Sequence, residues 1–212
     1  MATIQVVDNF STQAWASSSG TPVRGTTFLH GNEPNSLEIS TTAANEFVYY
    51  SNFGGAPTRV MTGFWFYFSS FPGADAQIAK IDVASCEARL IMQSSGEPYI
   101  KADGSPTMAS QLYGSNLSTG TWYWVELMLD VSANPWEFRA IIGATTLSTT
   151  GALAASDGGN GFVLLGTNRA DTITCYYSYL HYGTATGDTD WFGEQSQSAG
   201  GTNVSAMMLG VG

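Results

Sequence analysis

Positive charge is scarce. The chain has 212 residues with 7 lysines and arginines against 17 acids, a formal net charge of −10, and its only lysines are Lys80 and Lys101. A phosphate backbone needs a clustered basic face to bind it, so nucleic acid is not expected as a partner. Charged residues are 11% of the chain, well under the roughly 25% of an average soluble domain. Yet 43% of residues are hydrophobic and 13% aromatic, which excludes a disordered acidic chain and implies a buried core. Long apolar runs are also missing: none approaches the roughly 20 residues of a spanning helix, so no membrane span is expected. The two cysteines, Cys86 and Cys175, form neither a disulfide framework nor a zinc set. They read as small buried hydrophobes, with a single disulfide as the alternative. The two histidines, His30 and His181, sit in no metal-ligand pair and beside no recognisable nucleophile motif, so neither a metal nor a cofactor is expected. Met1 to Asp8 has no basic n-region, apolar h-region or cleavage site, so no signal peptide is expected.

Glycine, by contrast, is abundant. With 24 glycines and many serines and threonines spread along the whole chain, punctuation is frequent and helix formers are few. Period-two alternation in aromatic and β-branched runs predicts eleven strands: 4–7, 36–40, 46–50, 60–68, 77–81, 89–93, 99–101, 122–130, 137–142, 162–165 and 172–181. Short strands at this spacing predict an all-β, two-sheet antiparallel sandwich. Residues 1–192 are expected to form this one sandwich, and 193–212 a polar extension with an apolar end.

Two strands define faces. Phe64, Phe66 and Phe68 alternate with Trp65 and Tyr67; Tyr123, Val125, Leu127 and Leu129 alternate with Trp122, Trp124, Glu126, Met128 and Asp130. The first set of each is core. The second is either a wet sheet face or one covered by another segment. Planar rings on a sheet face suit sugar stacking, which makes Trp65, Tyr67 and Trp124 candidate ligand-binding residues; a second core layer or a subunit contact is the competing reading.

The order of segments carries a resemblance. Met61-Thr-Gly-Phe-Trp-Phe-Tyr-Phe68, the strand pair ending at Ala102-Asp103-Gly104, the Gly-x-Trp-x-x-Val-x-Leu stretch from Gly120 to Leu127, Trp136 to Gly143 and Phe162 to Gly166 follow one another as in a laminin-G-like or concanavalin-like jelly roll. The sequence resembles that family, including bacteriophage-borne members, over about residues 4 to 183. It departs where Ile142-Gly143 replaces the usual Asp-Gly and where Tyr176-Tyr-Ser-Tyr179 replaces a common aspartate. The family's calcium sites are therefore not carried over.

No residue of the sequence is assigned a catalytic role. A retaining glycosidase needs two carboxyls about 5 Å apart. The nearest pair, Glu126 and Asp130, lies two alternations apart, and a hydrogen-bonded strand acid is the favoured reading of Glu126. Asp188, Asp190 and Glu194 read as a solvated acidic loop, with calcium ligation as the alternative. The terminal Met207, Met208, Leu209 and Val211 are costly to leave in water and are expected to dock onto a partner. Together these features lead to an expectation of a non-enzymatic, lectin-like virion protein, a capsid decoration or tail component, made in the host cytoplasm and displayed on the particle surface. Its expected partners are other virion subunits, its own copies or a cell-surface glycan. The alternatives are a free carbohydrate-binding module or a glycoside hydrolase or lyase of the same fold.

Overall fold

A computed structural model describes residues 3–8, 10, 15–41, 45–50, 57–83, 86–103, 109–132, 135–151, 161–167, 173–184 and 191–192. The expected extension 193–212, with Met207, Met208, Leu209 and Val211, and the loop acids Asp188, Asp190 and Glu194 lie outside the described residues. The strands in chain order are β1 Thr3–Asp8, β2 Ser17–Ser19, β3 Val23–Gly25, β4 Ser36–Thr41, β5 Glu46–Tyr50, β6 Arg59–Phe68, β7 Ala76–Val83 and β8 Cys86–Met92. They continue as β9 Pro98–Asp103, β10 Ala109–Leu112, β11 Tyr123–Asp130, β12 Trp136–Ile142, β13 Thr145–Gly151, β14 Phe162–Thr167 and β15 Ile173–Thr184. No helix among the described residues is long and apolar enough to cross a membrane.

These strands form two antiparallel sheets. The first runs β13-β12-β11-β6-β15-β4-β3, with β1 also on β15; the second runs β10-β9-β8-β7-β14-β5-β2. All eleven expected strands are present. The four that the sequence did not predict, β2, β3, β10 and β13, are the end strands of the two sheet orders, while β1, which also has one neighbour, is among the predicted strands.

The core forms where the pleat predicts. Phe64, Phe66 and Phe68 of β6 and Val125, Leu127 and Leu129 of β11 meet Ile81, Leu90, Ile100, Val163 and Leu165 of the second sheet. Each fully buried side chain of this size contributes about 1.5–3 kcal/mol. Tyr177 ties the layers together, its buried hydroxyl donating to the Ile78 carbonyl at 2.6 Å. Both cysteines are buried free thiols, and burial pushes the Cys175 thiol up to about 12.

Two backbone features shape the sheets. The long strand β15 carries a β-bulge between Ser178 and His181, and the inserted Tyr179 adopts φ 52°, a region that bulky side chains rarely enter. Gly166 in β14 sits at φ +98°, and a Cβ there would come within 2.5 Å of the Glu46 carbonyl oxygen. Gly166→Ala is therefore expected to destabilise the protein by about 2 kcal/mol, read as a lowered urea midpoint, because neither the backbone angle nor the neighbouring strand accommodates the methyl.

Candidate functional site

The outer face of the first sheet is a second apolar layer. Strand register places its side chains in rows across β15, β6 and β11: Ser178, Trp65 and Trp124 in one, His181, Gly63 and Glu126 in the next, then Gly183, Met61 and Met128. At the other end, one row beyond Trp65, Tyr176 and Tyr67 pair, and Trp122, just before β11, packs 5.3 Å from Tyr67. Among the two possibilities for this face, the structure shows the covered one.

Two segments cover it. Between β3 and β4, the Phe28 ring stacks 4.9 Å from Tyr67 and packs 4.7 Å from Tyr176, while His30 stacks on Trp65 at 3.7 Å with only 18° between the planes. After β15, Trp191 and Phe192 return over Met61 and Met128, and Phe192 packs 5.4 Å from His181. The candidate ring residues lie beneath this cover: Trp65 is 8% exposed, Tyr67 9% and Trp124 4%. Phe28, His30 and Trp122 are half-buried and form the accessible rim. Sequence reasoning did not single out these three for binding. Phe28 and His30 stand in a stretch without alternation; alternation places Trp122 on this face, but the structure starts β11 one residue later, at Tyr123, and leaves Trp122 at the rim.

Glycine at position 63 makes the inner packing possible. A Cβ there would sit 2.9 Å from the Trp124 ring and 3.2 Å from the His181 ring, so these two side chains close over the bare backbone. Trp124 in turn packs edge-on to Trp65 at 5.5 Å and 5.3 Å from His181.

Polar groups are embedded in this layer. Glu126, 1% exposed, accepts the Trp124 indole N–H at 2.8 Å through Oε1 and the Phe192 backbone N–H at 2.9 Å through Oε2. A carboxylate with a donor on each oxygen is a clamp that holds the returning segment to β11. Its strand neighbour Asp130 is turned to other partners, accepting from Arg59 and from the Ser132 backbone and hydroxyl. Burial alone would raise the Asp130 carboxyl, but these hydrogen bonds hold it below its usual range. Four residues of strand separate the two acids by about 13 Å, far beyond the roughly 5 Å of a retaining pair.

The histidines belong to the same layer. His181 is 1% exposed, its Nε2 has no hydrogen-bond partner among the described residues, and burial drives its pKa down to about 4. Burial also lowers His30. Glu33, 3% exposed at the far end of the Phe28–His30 segment, has its carboxyl pushed up to about 7 by burial, and the Tyr179 phenol is raised by burial and by Glu33. Among the described residues no group of three or more His, Cys, Asp or Glu side chains could hold a metal ion.

The opposite outer face is built differently. On the second sheet Lys80 bridges Glu87 at 2.7 Å and Asp82 at 3.5 Å, Arg89 also pairs with Glu87, and the Lys80 ammonium lies 4.8 Å from the Phe162 ring. Cations and acids there pair with one another.

No family model matches the sequence, and no curated protein does. Solved structures do. Botulinum neurotoxin type C, whose cell entry depends on interaction with two ganglioside molecules, superposes with a TM-score of 0.54 at 10% identity, over 78% of this chain and 42% of that one. The chain thus spans under half of the toxin chain it matches. The endo-1,3-β-glucanase of Streptomyces sioyaensis gives 0.53 at 11% identity, over 86% and 97%. The carbohydrate esterase of Shiga toxin-encoding bacteriophage phi24B gives 0.53 at 11%, over 78% and 88%. Likeness at such identities shows the fold alone, and that fold is the lectin–glucanase jelly roll.

Proposed function

From a concanavalin-like jelly-roll sandwich with a second aromatic layer on its outer face, we propose a non-enzymatic, lectin-like protein that binds glycan and is carried on a bacteriophage particle. The observation that carries the binding reading is the continuous set of rings from buried Trp65 and Tyr67 to the half-buried rim of Phe28, His30 and Trp122. Planar rings grouped at a surface offer the apolar contact that the face of a sugar seeks, and a few polar groups at the edge fix its orientation. Several fold neighbours are named for glycan binding or glycan chemistry, which supports the same ligand class. The binding reading is preferred to hydrolysis because Glu126 spends both oxygens on structural donors and Asp130 is engaged elsewhere.

The particle assignment is supported by the phage-borne fold neighbour and by the weakly charged, Gly/Ser/Thr-rich composition. In this reading the protein is made in the host cytoplasm, and the apolar residues Met207, Met208, Leu209 and Val211 attach it to a neighbouring virion subunit. Two experiments test the proposal. Sedimentation of a producing lysate is expected to place the protein in a phage-sized band; recovery only near 22.5 kDa or a small multiple would leave a free binding module instead. On an immobilised panel including β-1,3-glucan and ganglioside headgroup oligosaccharides, the wild type is expected to bind and Trp122→Ala to lose at least about tenfold in affinity. Equal binding by both would remove this face from the account.

A further inference from the structure

We propose that the His30 ring is a displaceable occupant of a ring-stacking position on Trp65, and that a pyranose ring takes this position when the segment 26–32 lifts. The inference rests on the glycan-binding reading above and adds where the sugar sits and what it displaces. Three observations carry it.

The first is geometric. His30 lies 3.7 Å from Trp65 at 18°, whereas the other ring pairs described on this face are separated by 4.7 to 5.7 Å. Flat contact at van der Waals distance is what a sugar's apolar face makes with an indole. Phe28 covers Tyr67 beside it, so the segment lies along the shelf ring upon ring.

The second is how the segment is held. Among the described residues, 26–32 make no hydrogen bond to the strands beneath; the backbone bond at the segment's end, Glu33 N–H to the His30 carbonyl at 3.2 Å, is a turn that joins it to its fixed end at Glu33 and about which it can swing. Gly31, at φ +59°, has open space where a Cβ would point. Ring contacts of Phe28 and His30 therefore hold residues 26–32 down, and a ligand's preference for the open state can exceed them. The ends stay fixed, in β3 on one side and at buried Glu33 and β4 on the other.

The third is the floor. Trp65 is backed by Trp124, which is seated over Gly63 and fastened to Glu126, so the shelf keeps its shape when the cover moves.

Calorimetric titration of the full chain with a β-1,3-linked glucose hexasaccharide and a sialylated ganglioside headgroup oligosaccharide tests this, using wild type, His30→Ala and His30→Trp. His30→Ala is expected to bind about three- to tenfold more tightly than wild type, and His30→Trp more weakly, because the occupant's own stacking is removed or strengthened. In the wild type the His30 ring protons, shifted upfield by the Trp65 ring current, are expected to return toward their free position at saturation. If wild type binds while His30→Ala binds equally or less well, or if the His30 protons keep their shift at saturation, the displacement is overturned and the glycan reading stands. If neither wild type nor His30→Ala binds either oligosaccharide, both are overturned.

Discussion

Replacing Glu126 by alanine is expected to cost about 3–5 kcal/mol of stability. The carboxylate is 1% exposed and accepts two N–H groups, one from Trp124 and one from Phe192. A hydrogen bond to a charged group contributes about 1.5–3 kcal/mol, and both donors would be left buried without an acceptor. Glu126→Gln keeps the shape but presents an NH2 to one of the two donors, so about half of the loss is expected. Urea midpoints give the magnitude, and amide exchange at Phe192 gives the place: its protection is expected to fall in both variants. A Glu126→Gln protein as stable as wild type, with Phe192 still protected, would show that the clamp contributes nothing and would return Glu126 to consideration as a reacting group.

Acid is expected to act through His181. Burial among Trp124, Tyr179 and Phe192 brings its pKa to about 4, against an ordinary value of 6.5. The unfolded chain therefore binds a proton more readily than the folded one between these values, and stability falls as pH drops below 6.5, by about 3 kcal/mol on reaching pH 4. Glu33 opposes this. Its carboxyl is raised from 4.5 to about 7, so its contribution is fully present below 4.5 and is lost as pH rises through 7. The two are separated by comparing wild type with His181→Phe at pH 7.5 and pH 4, where Glu33 is common to both. The wild type is expected to lose about 3 kcal/mol more than the variant over this interval. Parallel losses would mean that His181 protonates without leaving its place.

How far the sequence discloses the molecule depends on which physical signal each segment carries. In β6 and β11 the alternation of Phe64, Phe66 and Val125 with Trp65 and Trp124 is visible directly, and register pairs these residues across the sheet. The edge strands are a different matter. Ser17–Ser19, Val23–Gly25, Ala109–Leu112 and Thr145–Gly151 have one neighbour each, and edges favour short polar stretches that resist pairing with other chains. Such stretches read as loops. At β13 the protection is explicit, since the Ser148 backbone N–H is taken by the Gln111 side chain at 2.6 Å.

The site was half legible for a similar reason. A ring at Trp65 or Trp124 announces itself by strand position, but what covers it comes from Phe28 and His30, in an irregular segment with no periodicity, and from Phe192, more than sixty residues beyond β11. His30 is an isolated histidine in the sequence, and only the tertiary fold lays it on Trp65. The same holds for Glu126: its face is set by alternation, whereas its two donors are set by the fold.

The six tryptophans provide the most direct test that the outer aromatic face of the first sheet is the ligand site. In a 1H–15N spectrum of the indole groups, titration with the best-binding oligosaccharide of the panel is expected to move Trp122 and Trp65. Trp136, fully buried between the sheets, is expected to stay in place as the internal control. Stationary signals from Trp122 and Trp65 under a ligand that binds, or no binding by any oligosaccharide of the panel, would contradict the account.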